Sequence, residues 1–368
     1  MLLIALAAIG CAKVETEGVD EGGEAMNFGI YVPRNVSKAD SDTFVEGTVL
    51  PDNSSFGVFA FYQPGVVFSG TPATWNASTR KPDFMFNQQV DFDGTDYTYT
   101  PLRYWPSNEE NTISFWAYYP YSIYSTDNSS ALKFYESDGT TAYSANSTGL
   151  PKIKYTVSTN PNNQYDILFD TFTNQNKTYD NCSPTPGTVP LKFRHALSLI
   201  QFNISAGGGA LPEGAVVTIS TLSLTNVKSE GVCADPSASV ETEVDAGNYW
   251  SSVANPGTIA LPEGATDFSL ILMPQQLLEN GSTGTSQIVL TIGFDLSFPA
   301  ADNREATITY KNNLISAPIW SDVAATPYGT KKWLPARKYT YNVTAGLEEI
   351  EFSEVFTEEW TTASTTDL

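Results

Sequence analysis

The stretch that decides the fold lies near the amino terminus and reads Met26-Asn27-Phe28-Gly29-Ile30-Tyr31-Val32-Pro33. Every second position in it carries an apolar side chain: Met26, Phe28, Ile30 and Val32. An extended backbone places all four of these side chains on one face. The segment therefore predicts a first β-strand, which Pro33 ends because proline has no N–H to donate to a neighbouring strand.

The residues before this strand have the layout of a bacterial lipoprotein signal. An apolar run at residues 2–9 is followed by Gly10 and Cys11. In such signals the cysteine thiol is acylated and the apolar segment is removed. We therefore predict a signal at residues 1–11 that ends at the acylated Cys11. Residues 12–25 are polar and acidic, which is typical of a flexible spacer that cannot build a core.

Two basic residues follow the first strand. Arg34 and Lys38 flank a short polar stretch, and we expect a trypsin-like protease to reach it. Cleavage at either residue separates the strand from the rest of the chain. A first strand that a protease can detach is unusual for a β-protein.

Composition favours strands and excludes some partners. The chain has 368 residues, enough for two ordinary domains, with 41% hydrophobic, 12% aromatic and only 16% charged residues. Aromatic and β-branched residues suit a pleated sheet better than a helix. The net charge of −22 repels nucleic acid and anionic membrane surfaces, so we expect no nucleic-acid partner. Attachment to a membrane then depends on the lipid at Cys11 and not on charge.

The distribution of apolar segments predicts two all-β domains. Residues 55–62 and 113–121 are apolar on both faces, as in the interior strands of a sandwich, and no window shows a clean helical period. Residues 174–190 are rich in Asn, Thr, Pro and Gly and form the best candidate linker. We predict two β-sandwich domains in tandem, at residues 26–187 and 188–368, the second ending in a polar tail.

The last apolar pattern lies at the carboxyl end. Alternate positions there carry the side chains of Ile350, Phe352, Phe356 and Trp360, which share one face if the segment is extended. This segment is either the last strand of its own domain or a strand donated to a neighbouring molecule, and the residues alone leave both alternatives open.

Few residues point to catalysis. His195 is the only histidine, and its apolar surroundings favour a packed, hydrogen-bonded role. Asp91, Asp93 and Asp96 could bracket a calcium ion, but a polar hairpin turn is the better interpretation. No catalytic motif is present, so we predict a protein without enzymatic activity, metal or cofactor. A glycosidase that uses a pair of carboxylates is the weakest alternative.

Cysteines and tryptophans leave further alternatives open. Cys182 and Cys233 could form one disulfide or remain two separate buried thiols. Aromatic clusters around Trp105 and Trp116 could stack on sugars or pack in the core. If they bind sugars, the chain is a monomeric surface lipoprotein that recognises glycans.

Several short stretches together resemble the fimbrillin-like lipoproteins of Bacteroidales, the subunits of pili sometimes called type V. The matching stretches are Asn27 to Arg34, Phe56 to Tyr62, Arg103-Tyr104-Trp105-Pro106, Phe115 to Pro120, Asp166 to Phe169, His195-Ala196-Leu197, Met273-Pro274-Gln275, and Tyr339 to Trp360. Each stretch is weak alone, but their order and spacing are fairly specific. The resemblance implies transthyretin-like sandwiches, export as a surface lipoprotein, and polymerisation after a trypsin-like protease removes the first strand.

The sequence departs from the family at the cleavage site. The family commonly has an arginine in a Thr-Arg-Ala-like site, whereas this chain has Ser37-Lys38-Ala39, with Arg34 nearby. The resulting hypothesis is a structural or adhesive pilus subunit at the cell surface. Its expected partners are other copies or related subunits, the protease, the outer membrane through its lipid anchor, and a host or bacterial surface ligand.

Overall fold

The structure is a computed structural model that describes most of the chain. The described residues are 23–31, 50–65, 80–108, 110–124, 131–177, 187–206, 216–233, 250–260, 267–277, 288–298, 308–319, 332–346 and 350–359. Within these ranges the regular structure consists of strands and two short 3-10 turns, with no α-helix. The predicted all-β fold class is therefore confirmed. In the same ranges no helix has the length and apolar character needed to cross a membrane.

Twenty strands are present in the described part of the chain. In chain order they are β1 (Asn27–Tyr31), β2 (Ser54–Gln63), β3 (Met85–Phe92), β4 (Tyr97–Thr98), β5 (Thr112–Tyr119), β6 (Leu132–Tyr135), β7 (Lys152–Thr156), β8 (Leu168–Gln175), β9 (Thr188–Lys192), β10 (Arg194–His195), β11 (Ser198–Ala206), β12 (Val216–Cys233), β13 (Trp250–Ala260), β14 (Asp267–Leu272), β15 (Gln275–Gln276), β16 (Val289–Phe298), β17 (Ile308–Pro318), β18 (Lys332–Trp333), β19 (Arg337–Ala345) and β20 (Ile350–Glu359).

A six-stranded antiparallel sheet organises the first half of the chain. Its strand order is β10-β8-β5-β2-β3-β4, so β2 lies in its interior between β5 and β3. Phe56 and Val58 pack into one core, whereas Phe59 and Phe61 pack into another, and all four are fully buried. The apolar residues on both faces of this segment thus have the role that the sequence predicted, because each face of the strand covers a separate core.

The two cores differ in extent. One lies between the six-stranded sheet and the parallel pair formed by β1 and β9, and includes Phe28, Phe115 and Leu191. The other begins on the opposite face of the same sheet, at Trp116 and Phe169, and continues into the second half of the chain. The six-stranded sheet is therefore covered on both faces.

The remaining strands form a four-stranded sheet, a further six-stranded sheet that includes β6 and β7 from the first half, and a small pair. Their orders are β14-β11-β19-β20, β17-β16-β12-β7-β6 and β15-β18, and β13 pairs with the opposite edge of β12. Strand β12 has 18 residues, pairs with β16 over residues 216–225, and pairs with β7 over residues 230–233.

Strand pairing crosses the predicted domain junction in both directions. From the first half, β7 pairs with β12, while β9 and β10 from the second half pair with β1 and β8. Lys154 on β7 also forms an ion pair of 2.9 Å with Glu230 on β12. The division at residues 187 and 188, and with it the tandem arrangement of two sandwiches, stays a prediction.

Shared sheets predict that the two halves unfold together. We expect Ile153→Ala, which truncates a fully buried β7 side chain, to lower the free energy of unfolding by about 2–5 kcal/mol. Because β7 belongs to a sheet of the second half, a single transition should shift as a whole. Denaturant unfolding followed by tryptophan fluorescence and by circular dichroism measures both quantities.

The matched control is Thr156→Ala, an exposed position on the same strand, for which we expect a change within about 0.5 kcal/mol. Two separate transitions, of which the Ile153 variant moves only one, would contradict the prediction.

Candidate functional site

The candidate site is the groove that holds β1. This strand runs parallel to β9, from Asn27 opposite Thr188 to Tyr31 opposite Lys192. The alternation seen in the sequence appears as alternating burial: Met26, Phe28 and Ile30 are 0%, 5% and 6% exposed, whereas Asn27 is exposed. Val32, the fourth residue of the predicted face, lies outside the described residues.

Phe28 is the central contact in the groove. Its ring meets three aromatic rings edge-on, with centroid distances of 5.8 Å to Phe56, 5.5 Å to Tyr99 and 6.1 Å to Phe115. This T-shaped arrangement is the one that aromatic quadrupoles favour. The partners come from β2, from the turn that follows β4 and from β5, so one side chain of β1 links three separate segments.

One edge of β9 pairs with β1, and the opposite edge, here called the far edge, contacts the side chain of Asp170. The N–H of Asn27 donates to the Gly187 carbonyl at 3.4 Å, and alternate residues face the partner in a parallel ladder. By that alternation the N–H groups of Val189 and Leu191 face β1. The N–H of Lys192 points the other way, where it donates to Asp170 Oδ2 at 2.6 Å.

The backbone nitrogen of Pro190 points to the same edge as that of Lys192, away from β1. Because proline has no N–H, the far edge lacks a donor at this position, whereas the edge that β1 occupies loses none. A proline and a side-chain carboxylate on the far edge both discourage strand addition there. The edge that faces β1 is therefore the one on β9 that is suited to receive a strand.

A second segment bonds to the backbone of β1 at its amino-terminal end. The N–H of Met26 donates to the Arg103 carbonyl at 2.9 Å, and the N–H of Trp105 donates to the Glu24 carbonyl at 3.1 Å. These bonds form an antiparallel bridge between Ala25 and Tyr104. The start of β1 is thus held on both edges.

Side chains of the same segment complete this contact. The Tyr99 hydroxyl donates to the Met26 carbonyl at 2.9 Å, and Trp105 Nε1 donates to the Gly187 carbonyl at 2.8 Å. The Gly187 carbonyl also accepts from Asn27, so the indole is fixed to the point where β1 and β9 begin. Sequence reasoning assigned no such role to Tyr99 and considered Trp105 only as a core residue or a sugar platform.

Burial changes the ionisation of Asp170 next to this groove. Desolvation raises the pKa of its carboxyl group to about 7. Hydrogen bonds from the Lys192 and Thr171 N–H groups, and the charges of Arg194 and Lys192, act in the opposite direction but are weaker. The carboxyl group that caps the far edge of β9 is thus poised to titrate near neutral pH.

The only histidine lies in a buried pair. His195 Nδ1 lies 2.8 Å and 3.0 Å from the two carboxylate oxygens of Asp166, and both side chains are almost fully buried. This geometry fits the packed, hydrogen-bonded role expected from the sequence. A substrate in solvent has no direct access to a group buried in this way.

The other candidate sites from the sequence have structural roles. Asp93 Oδ1 accepts hydrogen bonds of 2.8 Å from the N–H groups of Thr95 and Asp96, which is a hairpin turn stabilised by its own side chain. In the described ranges no group of three potential ligands is placed to hold a metal ion. Trp105 and Trp116 are 3% and 0% exposed, so neither offers a platform for sugars.

The carboxyl-terminal segment is the last strand of the four-stranded sheet. Strand β20 pairs with β19 from Ala345 opposite Ile350 to Arg337 opposite Glu359, and the Phe352 ring lies 6.1 Å from that of Tyr341. A register shift opposite residues 342 and 343 interrupts the alternation on which the shared face was predicted. Phe356 lies in β20 after this shift, whereas Trp360 lies outside the described residues. Donation of this segment stays a prediction.

Comparison with known proteins identifies the family. The model of the fimbrillin-like family matches residues 43–360. This chain belongs to the fimbrillin-like family. It is also similar to the fimbrium subunit Fim1C of Phocaeicola vulgatus, with 23% identity over 402 aligned positions that cover 100% of this chain and 97% of the relative.

A solved structure has the same fold. The crystal structure of a fimbrial protein from Bacteroides vulgatus aligns with a TM-score of 0.58 and 20% identity, and the alignment covers 92% of this chain and 100% of that one. The family match confirms the resemblance to fimbrillin-like proteins that the sequence suggested, although each of its motifs is weak alone.

Four of the residues named in the sequence analysis of this fimbrillin-like chain have no structural description. Cys11, Arg34, Lys38 and Cys182 lie outside the described residues. Cys233 is buried in the larger core. Lipidation, processing and a disulfide between the two cysteines therefore stay predictions.

The contacts of Phe28 predict a large effect of its truncation. Phe28→Ala should lower the free energy of unfolding by about 3–5 kcal/mol, because it removes a buried ring and leaves a cavity among three others. The exposed neighbour Asn27→Ala should change it by less than about 0.5 kcal/mol. Urea unfolding of the intact chain measures both, and equal effects of the two variants would show that the groove contributes little.

The raised pKa of Asp170 predicts a pH-dependent stability. Between the unfolded value near 3.9 and the folded value of about 7, the folded protein keeps a proton that the unfolded chain has released. This contribution is present below the unfolded pKa and is lost as the pH rises through the folded pKa. Asp170→Asn keeps an oxygen acceptor and cannot ionise, so between pH 5 and pH 8 its free energy of unfolding should rise relative to that of the wild type by about 1–3 kcal/mol.

Urea unfolding at pH 5 and pH 8 measures this difference. Asp138→Asn is the matched control, since hydrogen bonds from Thr141 and Thr140 lower the pKa of Asp138 to about 2 and its substitution should give no gain at high pH. A wild type and an Asp170 variant with parallel pH profiles would refute the prediction.

Proposed function

We propose that this fimbrillin-like chain is a non-enzymatic structural or adhesive subunit of a cell-surface pilus, assembled by exchange of its first strand. The observation that supports this most is β1 itself. Met26, just before β1, and Phe28 and Ile30 on β1 are buried in a groove whose walls come from later parts of the chain. Burial of three such side chains stabilises an occupant by roughly 5–9 kcal/mol before ordering costs.

In this proposal the chain is exported as a lipoprotein and held at the outer membrane through Cys11. A trypsin-like protease then cuts at Arg34 or Lys38, beyond the end of β1. Loss of the strand exposes the edge of β9 and the apolar groove, a condition that favours pairing with another chain. An extended segment of a neighbouring subunit fills the groove by strand addition.

The candidate donor is the segment with Ile350, Phe352, Phe356 and Trp360. It forms an edge strand with β19 as its neighbour in the described part of the chain, so donation requires β20 to leave its own sheet. Its apolar side chains then replace Met26, Phe28 and Ile30 in the groove of the next subunit.

Controlled proteolysis of the purified precursor tests the proposal. We expect limited trypsin treatment to remove the first strand, as shown by amino-terminal sequencing, and to give a ladder of oligomers on unheated gels. The double variant Arg34→Gln/Lys38→Gln should keep its first strand attached to the rest of the chain and stay monomeric. A wild type that loses its first strand cleanly and remains monomeric in light scattering would overturn the proposal.

A further inference from the structure

We propose that the segment from Tyr99 to Trp105 is a clamp that retains β1 after the chain has been cut, so that cleavage and strand release are separate steps. This inference rests on the proposed function and specifies how the groove controls its occupant. Tyr99 and Trp105 are positioning residues in this proposal, because they act on the backbone of the strand that is exchanged.

The clamp acts on one end of the strand. Its bonds reach Glu24 and Met26, through the Trp105 N–H, the Arg103 carbonyl and the Tyr99 hydroxyl. From Asn27 to Tyr31 the strand pairs with β9. The amino-terminal end is thus held on two edges, and the end near Tyr31 is held along β9.

The clamp is anchored to the parts of the fold that form the groove. The Trp105 ring lies 6.1 Å from Phe115 of β5, whereas the Tyr99 ring packs on Phe28 of β1 itself. Trp105 Nε1 is bonded to Gly187, the residue that precedes β9. Trp105 therefore keeps its supports when β1 moves, because Phe115 and Gly187 belong to the remaining structure.

Arg103 adds a further support. Its guanidinium group lies 5.9 Å from the centre of the Phe84 ring, a distance at which a cation and an aromatic face attract each other. The carbonyl group of the same residue accepts the Met26 N–H. The backbone that grips the strand is thereby tied to the smaller core.

The expected cut lies at the opposite end of β1. Cleavage at Arg34 or Lys38 creates a free end next to the pairing of Tyr31 with Lys192, about ten residues from the clamp. The bonds to β9 can then open one after another from Tyr31 towards Asn27, and an incoming strand can form its own bonds in the same order. The bonds at Met26 and Glu24 open last, so the groove stays occupied until a replacement is largely in place.

The rate of strand release from the cut protein tests the clamp. A recognition site for a specific protease replaces residues 35–38 in the full chain, and after cleavage the departure of the amino-terminal peptide is followed by native mass spectrometry. Tyr99→Phe keeps the ring on Phe28 and removes the hydroxyl bond to Met26, so we expect release to be about three to ten times faster.

Tyr62→Phe is the matched control. It removes a tyrosine hydroxyl that accepts from Asn111 at 2.7 Å, in the same half of the chain but at another site, and it should leave the release rate unchanged. Equal acceleration by both variants would show a general loss of stability and overturn the clamp. An unchanged rate in the Tyr99 variant would overturn it as well.

Hydrogen exchange of the cut wild-type protein gives a second measurement that needs no substitution at the clamp. We expect the amides of Gly29 and Tyr31 to exchange before those of Met26 and Asn27, and simultaneous exchange of all four would contradict an ordered release. Neither measurement requires assembly. A cut protein that releases its strand in this order but never forms oligomers would refute the proposed function and leave the clamp intact.

Discussion

The contact on which the rest of this structure depends is the insertion of Phe28 among the rings of Phe56, Tyr99 and Phe115. These three rings come from three separate segments of the chain, and they belong to a core that β1 closes on one side. The strand that carries Phe28 has only five residues and pairs along β9 in a two-stranded sheet. Its attachment thus depends on side-chain burial more than on a wide hydrogen-bonded ladder, since isolated two-stranded pairs are marginal in water.

The same central sheet links this groove to the remainder of the molecule. Strand β2 faces the groove with Phe56 and Val58, while Phe59 on its other face belongs to the larger core that reaches β12, β16 and β19. Both faces of this sheet are covered by close-packed cores. A rearrangement in the groove is therefore confined to one face and does not disturb the larger core on the other. Under the proposed function, this arrangement lets the body of the subunit stay folded while the strand is exchanged.

Local pattern in the sequence was sufficient for the fold class and for the burial of Met26, Phe28 and Ile30, because period-two alternation depends on neighbouring residues alone. It was also sufficient for β2, where both faces are apolar. The sequence does not predict pairing between distant segments: residues 188–190, at the end of the expected linker, instead begin the strand that pairs with β1. Nothing in their local composition encodes a partner some 160 residues away.

Other misses have the same physical origin. The pairing of β7 with β12 depends on long-range packing. The register shift in β20 adds one residue that a strict alternation of apolar and polar positions does not predict. From the sequence, Trp105 is either a core residue or a surface platform. Its hydrogen bond to Gly187 shows that it also holds the point where β1 and β9 begin. The sequence predicts the strand that fills the groove, whereas the segments that line the groove are recognised only in the structure.

The one-sided edge of β9 has a consequence for assembly under the proposed function. Pro190 and the bond from Lys192 to Asp170 close the far edge, so the vacated groove receives a single strand. If each subunit also donates a single strand from its carboxyl end, every molecule has one acceptor and one donor that are different surfaces. Such a head-to-tail contact does not close on itself as a two-fold dimer does, and its repetition produces an open filament. Under the proposed function, a linear polymer therefore depends on two properties of β9: the edge facing β1 can pair with a strand, and the far edge cannot.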